Sequence, residues 1–216
     1  MLMTQGKFEQ AKRHCVALIG NTSLLTASTC VLDVQSQQGK LSESYHALVK
    51  LTQNKNSSLA TKHVLSEMAF RLNKFTRAQQ HINNIDLNTA PVSLIVLWAD
   101  IQLQQNNPEK VLNTLGKLAN SHSSLEDAIL LKLAIAEKRS NKHTNTVWQP
   151  LMQQRVKLRE QRQDTFHAND LANYYIHVQA NQAKAQYWAN INWQQAKMST
   201  DKHLLSQANT MVRDSL

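Results

Sequence analysis

Three acidic residues, Asp33, Glu67 and Asp100, recur 34 and 33 residues apart. Carboxylates repeated at one interval have two uses: they are ordinary solvated helix acids, or they form a row of acceptors that grips Lys, Arg or amide donors on a partner. Cys15 and Cys30 are the only cysteines and make no Cys-x-x-Cys pair, so zinc and thioredoxin-type chemistry have no footing. They flank Gly20-Asn21-Thr22 almost symmetrically. If that tripeptide is a turn between antiparallel helices, the two lie level, within the roughly 4.4–6.8 Å between Cα atoms that a disulfide needs. The alternative, equally open, is that Cys15 is a small buried hydrophobe.

Nine histidines are dispersed with no His-x-x-x-His or His-Glu-x-x-His spacing, although His14, His46 and His81 recur at comparable places. There is no Gly-x-Ser-x-Gly elbow, and 4 glycines leave no phosphate loop. No catalytic residue, metal or cofactor is expected. The formal charge of +9 is scattered, its densest patch being Arg155, Lys157, Arg159 and Arg162. Without interleaved aromatics or a nucleic-acid motif, that patch reads as a solvated helix face, and nucleic acid is not the expected partner.

These residues must be positioned by helices. In 216 residues there are only 4 Gly and 3 Pro, with many Gln, Asn, Ala, Leu and Lys. A short unit recurs: Gly6-Lys7-Phe8 with Ala11, Gly39-Lys40-Leu41 with Ser44, Asn73-Lys74-Phe75 with Ala78, and Asn106-Asn107-Pro108 with Val111. Its spacings are 33, 34 and 33 residues, a period that means stacked helix pairs. Further sites agree between copies: Cys15, Leu48, Ile82 and Leu115; Leu18, Leu51, Ile85 and Leu118; and, one helix earlier, Val31, Leu65 and Trp98. Apolar periodicity predicts about twelve helices, at 8–19, 23–37, 41–52, 58–71, 75–85, 91–104, 108–119, 125–138, 145–161, 164–180, 183–197 and 201–213. Pro108 suits a first helical turn, and Ser42 and Thr76 are candidates at helix starts.

The unit resembles the tetratricopeptide repeat family, a helix–turn–helix of about 34 residues. The resemblance covers about residues 1–120 and implies an all-α fold: an α-solenoid of antiparallel helix pairs in a right-handed superhelix. It departs from the family in lacking the closing proline of each unit and in placing Asn73 and Asn106 where glycine is usual; asparagine tolerates the left-handed conformation such a turn needs. Residues 121–216 form a degenerate repeat and capping helices of the same array, with Asn141 at the next turn and Tyr187, Trp188, Ile191 and Trp193 around a late helix. The tail, with its Asn192-Trp193 pair, resembles a group of proteobacterial tetratricopeptide-repeat proteins that have no assigned enzymatic activity. That resemblance implies export to the periplasm or cell envelope.

In the family, first helices line a concave groove. There the resemblance places Asp33, Glu67 and Asp100, with His63, Phe70, Arg71, Val96 and Leu103 as neighbours. It implies a non-catalytic scaffold that binds a basic or amide-rich protein or peptide segment. The alternative is an anionic surface, membrane or nucleic acid, held by the basic convex side and the Arg155–Arg162 helix. No stretch approaches the roughly 18 apolar residues that span a bilayer. Met1–Gln5 reads as the tail of a helix that begins earlier, so any signal peptide would precede Met1. An array begun mid-pair would leave Phe8, Ala11, Cys15 and Leu18 to be covered by an upstream segment or by a second copy of the chain.

Overall fold

The structure, a computed structural model, describes residues 1–53, 56–121, 125–140 and 146–211. Among the described residues there are twelve α-helices, one 3₁₀ turn and no strand. The helices are α1 (Phe8–Ala17), α2 (Leu24–Gln37), α3 (Leu41–Thr52), α4 (Leu59–Arg71), α5 (Phe75–His81), α6 (Val92–Gln104), α7 (Pro108–Ser121), α8 (Asp127–Arg139), α9 (Trp148–Gln161), α10 (Ala168–His177), α11 (Gln182–Gln195) and α12 (Ser199–Thr210). The 3₁₀ turn, Thr165–His167, precedes α10. No described helix is long and apolar enough to cross a membrane.

The chain divides into two compact units, Met1–Ile85 with Ala196–Ser199, and Asp86–Gln195 with Thr200–Leu216. In the first unit α1 packs on α2, α2 on α3 and α4, and α4 on α5. In the second, α6 and α7 pack on α8, α8 also on α9 and α10, and α10 on α11.

The recurring unit is a left-handed turn. Gly6, Gly39, Asn73 and Asn106 have φ of 73°, 91°, 57° and 58°. Each sits between a pair of hydrogen bonds that close the end of the preceding helix or turn. At Asn73, its own N–H reaches Phe70 O at 2.9 Å and the Lys74 N–H reaches Ala69 O at 2.9 Å. At Asn106 the matching pair runs to Leu103 O and Gln102 O. These bonds satisfy carbonyls that the helix end would leave open. Gly6 is doubly constrained, because a Cβ there would stand 3.0 Å from Lys197 Cβ as well as in a strained φ. The expected turn at Asn141 lies outside the described residues.

Sites matched between copies are largely core: Cys15 at 3%, Leu48 at 0%, Ile82 at 3% and Leu115 at 0% exposure. Leu51 departs, being exposed near the end of α3. Helix starts also differ from expectation. In the first unit the side chains that cap are Ser23 and Ser58, accepting from Thr26 N–H at 3.1 Å and Thr61 N–H at 3.2 Å. Ser42 and Thr76 do not cap, because α3 and α5 begin straight out of the left-handed turns, without a side-chain cap.

At the N-terminus Ala11, Cys15 and Val34 form a buried cluster, with Leu2, Met3, Phe8, Cys30 and Val31 partly buried against it. Ala11 and Cys15 are thus covered by the chain itself, and Phe8 and Leu18 are half-buried. Residues 196–199 complete this unit: the Lys197 N–H donates to Thr4 O at 2.7 Å, and Ser199 donates to Gln37 Oε1 through N–H at 3.0 Å and Oγ at 2.9 Å.

Candidate functional site

In the first unit α2 and α4 run side by side in the same direction. Near their starts Thr29 and Thr61 share a buried hydrogen bond of 3.3 Å. At their ends Arg71 donates through Nη2 to Ser36 O at 2.8 Å and through Nη1 to Ser36 Oγ at 2.9 Å. On α4 the spacing of His63, Glu67 and Arg71 sets all three on one helix face, and α2 brings Asp33 to the same cluster. Two carboxylates thus lie within electrostatic reach of one guanidinium, which itself hydrogen-bonds Ser36, and all four residues are half-buried.

The electrostatic consequence is large at Asp33. Burial first, then the neighbouring Glu67 charge, push its carboxyl up to about 7, against the pull of Arg71 and the Ser36 hydrogen bond. Burial lowers both His63 and Arg71 from their ordinary values, while Glu67, and for Arg71 also Asp33, opposes the shift. The cluster can therefore exchange a proton near neutrality. It carries more acid than base once Asp33 is ionised.

The second unit repeats the framework with other charges. Arg139, the last residue of α8, donates through Nη1 to Leu103 O at 3.2 Å, as Arg71, the last residue of α4, does to Ser36 O. In both cases the acceptor is the penultimate residue of the preceding first helix, and at Leu103 the arginine shares the carbonyl with the Asn106 N–H. Asp100, however, is matched by Lys132 Nζ at 2.7 Å. On α10, burial pushes His177 down to about 4, helped by Lys132 and Arg139. Asp170 is raised by burial, against the pull of Lys132, His167 and Arg159, with Asp127 adding to the rise.

The structure thus brings Asp33, His63, Glu67 and Arg71 together in one unit and places Asp100, Val96 and Leu103 in the other. Leu103 is 5% exposed, so its side chain belongs to the core and only its carbonyl meets a charged group. Phe70 packs on Phe75 of α5, ring centroids 5.5 Å apart. Of the three recurring histidines, His14 and His46 are exposed, whereas His81 is half-buried and shares a 3.0 Å hydrogen bond with the Tyr45 hydroxyl. No group of three or more His, Cys, Asp or Glu among the described residues is placed to hold a metal ion. Cys15 and Cys30 form a disulfide joining α1 and α2, with Cα atoms 5.4 Å apart.

Lys132, Arg139, Asp170 and His177 escaped the sequence reading. Two signals pointed to them: Arg139 follows Arg71 by 68 residues, twice the repeat, and Lys132 is a lone charge inside the apolar run from Ile129 to Ala136. Glu137 was missed as well. Its buried carboxylate accepts from the N–H groups of Val147, Trp148 and Gln149 at 2.7, 3.1 and 2.8 Å, capping α9 from the end of α8.

The basic patch is divided. Arg159 turns inward to Asp127 and Asp164, each at 2.9 Å, while Lys157 and Arg162 are exposed. Two cavities lie in this unit. One of about 200 Å³ is lined by Leu87, Val92, Ile95, Leu118 and Ile129 with Glu126. The other, of about 230 Å³, is amide-rich, with Gln149, Gln153 and Gln179 beside Tyr174. Comparison with protein-family models, curated proteins and solved structures yields no match to this chain.

Proposed function

We propose that the chain is a non-catalytic, tetratricopeptide-type α-solenoid scaffold that binds a protein or peptide segment through the faces of its first helices. The observation that carries this reading is the half-buried Asp33, Glu67 and Arg71 cluster, which same-direction packing of α2 and α4 presents on one face. Partly desolvated carboxylates in excess of their counter-cation gain more from an incoming cation than solvated surface acids do. The segment that fits is therefore one carrying Lys, Arg or amide donors. Left-handed turns at the repeat interval support the solenoid arrangement. The Cys15–Cys30 disulfide supports an oxidising compartment such as the periplasm or envelope.

Selection of a random dodecapeptide display library on the oxidised protein at pH 8 tests the reading. Enrichment of Lys- or Arg-containing sequences, eluted by Asp33- and Glu67-dependent competition, is the expected result. Enrichment of acidic or purely apolar sequences would argue against it.

A further inference from the structure

The basic helix α9 has an outer face that the groove reading leaves unused. Its inner face buries Met152 and Val156. On the flank beside it, at helical spacing, stand Leu151, Arg155, Leu158 and Arg162, with Val147 just before the helix. Val147, Leu151 and Leu158 are 52%, 41% and 36% exposed, and the Arg155 side chain 44%. Beyond the C-terminus comes Phe166, 93% exposed.

Phe166 is not on a slack loop. Asp164 accepts from the Phe166 N–H at 3.1 Å and from Arg159 Nη1 at 2.9 Å, and lies 3.0 Å from His167 Nδ1. The ring is held in water by a turn fixed on three sides. Burying a phenyl ring is favourable by about 2 kcal/mol, and with Val147, Leu151 and Leu158 it adds to the apolar surface that this segment exposes. The exposed charges between residues 150 and 167 are all positive, Arg155, Lys157 and Arg162, of which Arg155 also reaches back to Asp127 Oδ1 at 3.6 Å. The acids Glu160 and Asp164 are engaged by Lys184 and Tyr175, and by Arg159 and His167.

We infer that this face, Leu151, Arg155, Leu158, Arg162 and Phe166, docks on an anionic phospholipid surface, with the apolar side chains entering the headgroup layer and the arginines meeting the phosphates. Charge complementarity selects that occupant. A second copy of the same stripe would set like charges against each other. Projecting apolar groups ringed by cations suit a bilayer interface, where such a helix lies in the plane.

The test is co-sedimentation of the full chain with vesicles of phosphatidylglycerol and phosphatidylcholine, against phosphatidylcholine alone. The wild type is expected to partition to the anionic vesicles only. Arg155→Gln with Arg162→Gln should weaken this about thirtyfold, and Phe166→Ser, which loses about 2 kcal/mol of ring burial, about thirtyfold as well. Arg162 and Phe166 are exposed, and Asp127 keeps Arg159 at 2.9 Å when Arg155 is replaced, so circular dichroism and melting should match the wild type. Glu67→Lys, in the other unit, should leave vesicle binding intact, which separates this surface from the groove. Equal binding to both vesicle types, no binding, or full binding by Phe166→Ser would each overturn the inference. So would arginine-dependent binding to duplex DNA by a protein that ignores vesicles.

Discussion

The helix pairs α2–α4 and α6–α8 are joined by the same contact and carry opposite charge balance. In each, an arginine ending the later helix reaches the penultimate carbonyl of the earlier one. Between α2 and α4, two carboxylates feel the charge of Arg71, and Asp33 is pushed up to about 7. Around α8, Lys132 answers Asp100 at 2.7 Å, and Lys132 with Arg139 assists burial in holding His177 down at about 4. Repetition thus fixes where the helices meet, while the residues spread along the shared face are free to differ. The acid-rich member is the one with capacity for an added cation.

The sharpest way to break the comparison is pH, because the two shifts act in opposite directions. Asp33 is raised in the folded state, so its stabilising contribution is complete below the ordinary value of 3.8 and is lost as pH rises to about 7. His177 is lowered, so its contribution is present above 6.5 and is lost as pH falls towards about 4. Asp33→Asn should therefore raise stability at pH 8 by up to about 4 kcal/mol and change it little at pH 4. His177→Gln should remove part of the loss on acidification. Urea melts across this range check both, and a uniform effect of Asp33→Asn at all pH would contradict the cluster.

A smaller effect sharpens the contrast by cross-linking. Only the first unit carries a disulfide among the described residues, across a separation of 15 residues. Reduction, or Cys15→Ala with Cys30→Ala, should cost about 3 kcal/mol. Hydrogen exchange should locate that loss in α1 and α2 and leave α8 and α10 protected as before. The smallest effect concerns the shared contact itself. Arg71→Ala strips two donors from Ser36 and the cation from two carboxylates, at about 2 kcal/mol, whereas Arg139→Ala removes one exposed donor, at about 1 kcal/mol. Equal losses would mean that the charge balance does not matter.

The turns were legible because a left-handed residue constrains its own type: Gly6, Gly39, Asn73 and Asn106 are the residues that adopt positive φ with least strain. Gln163, at φ 50°, carries no such mark although it ends the turn after α9, and the single helix expected over 164–180 is instead an Asp164-capped 3₁₀ turn followed by α10. Likewise α5 stops at His81, well short of 85, where the chain turns out through Asn84 at φ 62°. Asp33, Glu67 and Arg71 were within reach of the repeat interval. Lys132, Asp170 and His177 were not, because a charge balance depends on residues brought together from separate helices, and no spacing rule names their types.

The most direct test is a pair of charge reversals on equivalent faces. Calorimetric titration of a display-selected basic peptide should show that Glu67→Lys weakens binding at least about a hundredfold, the order of removing a buried charge contact. Lys132→Glu should leave the dissociation constant within about threefold, well under the 1.4 kcal/mol that a tenfold change represents. Unchanged binding by Glu67→Lys, or equal losses in both variants, would contradict a site on the α2–α4 face.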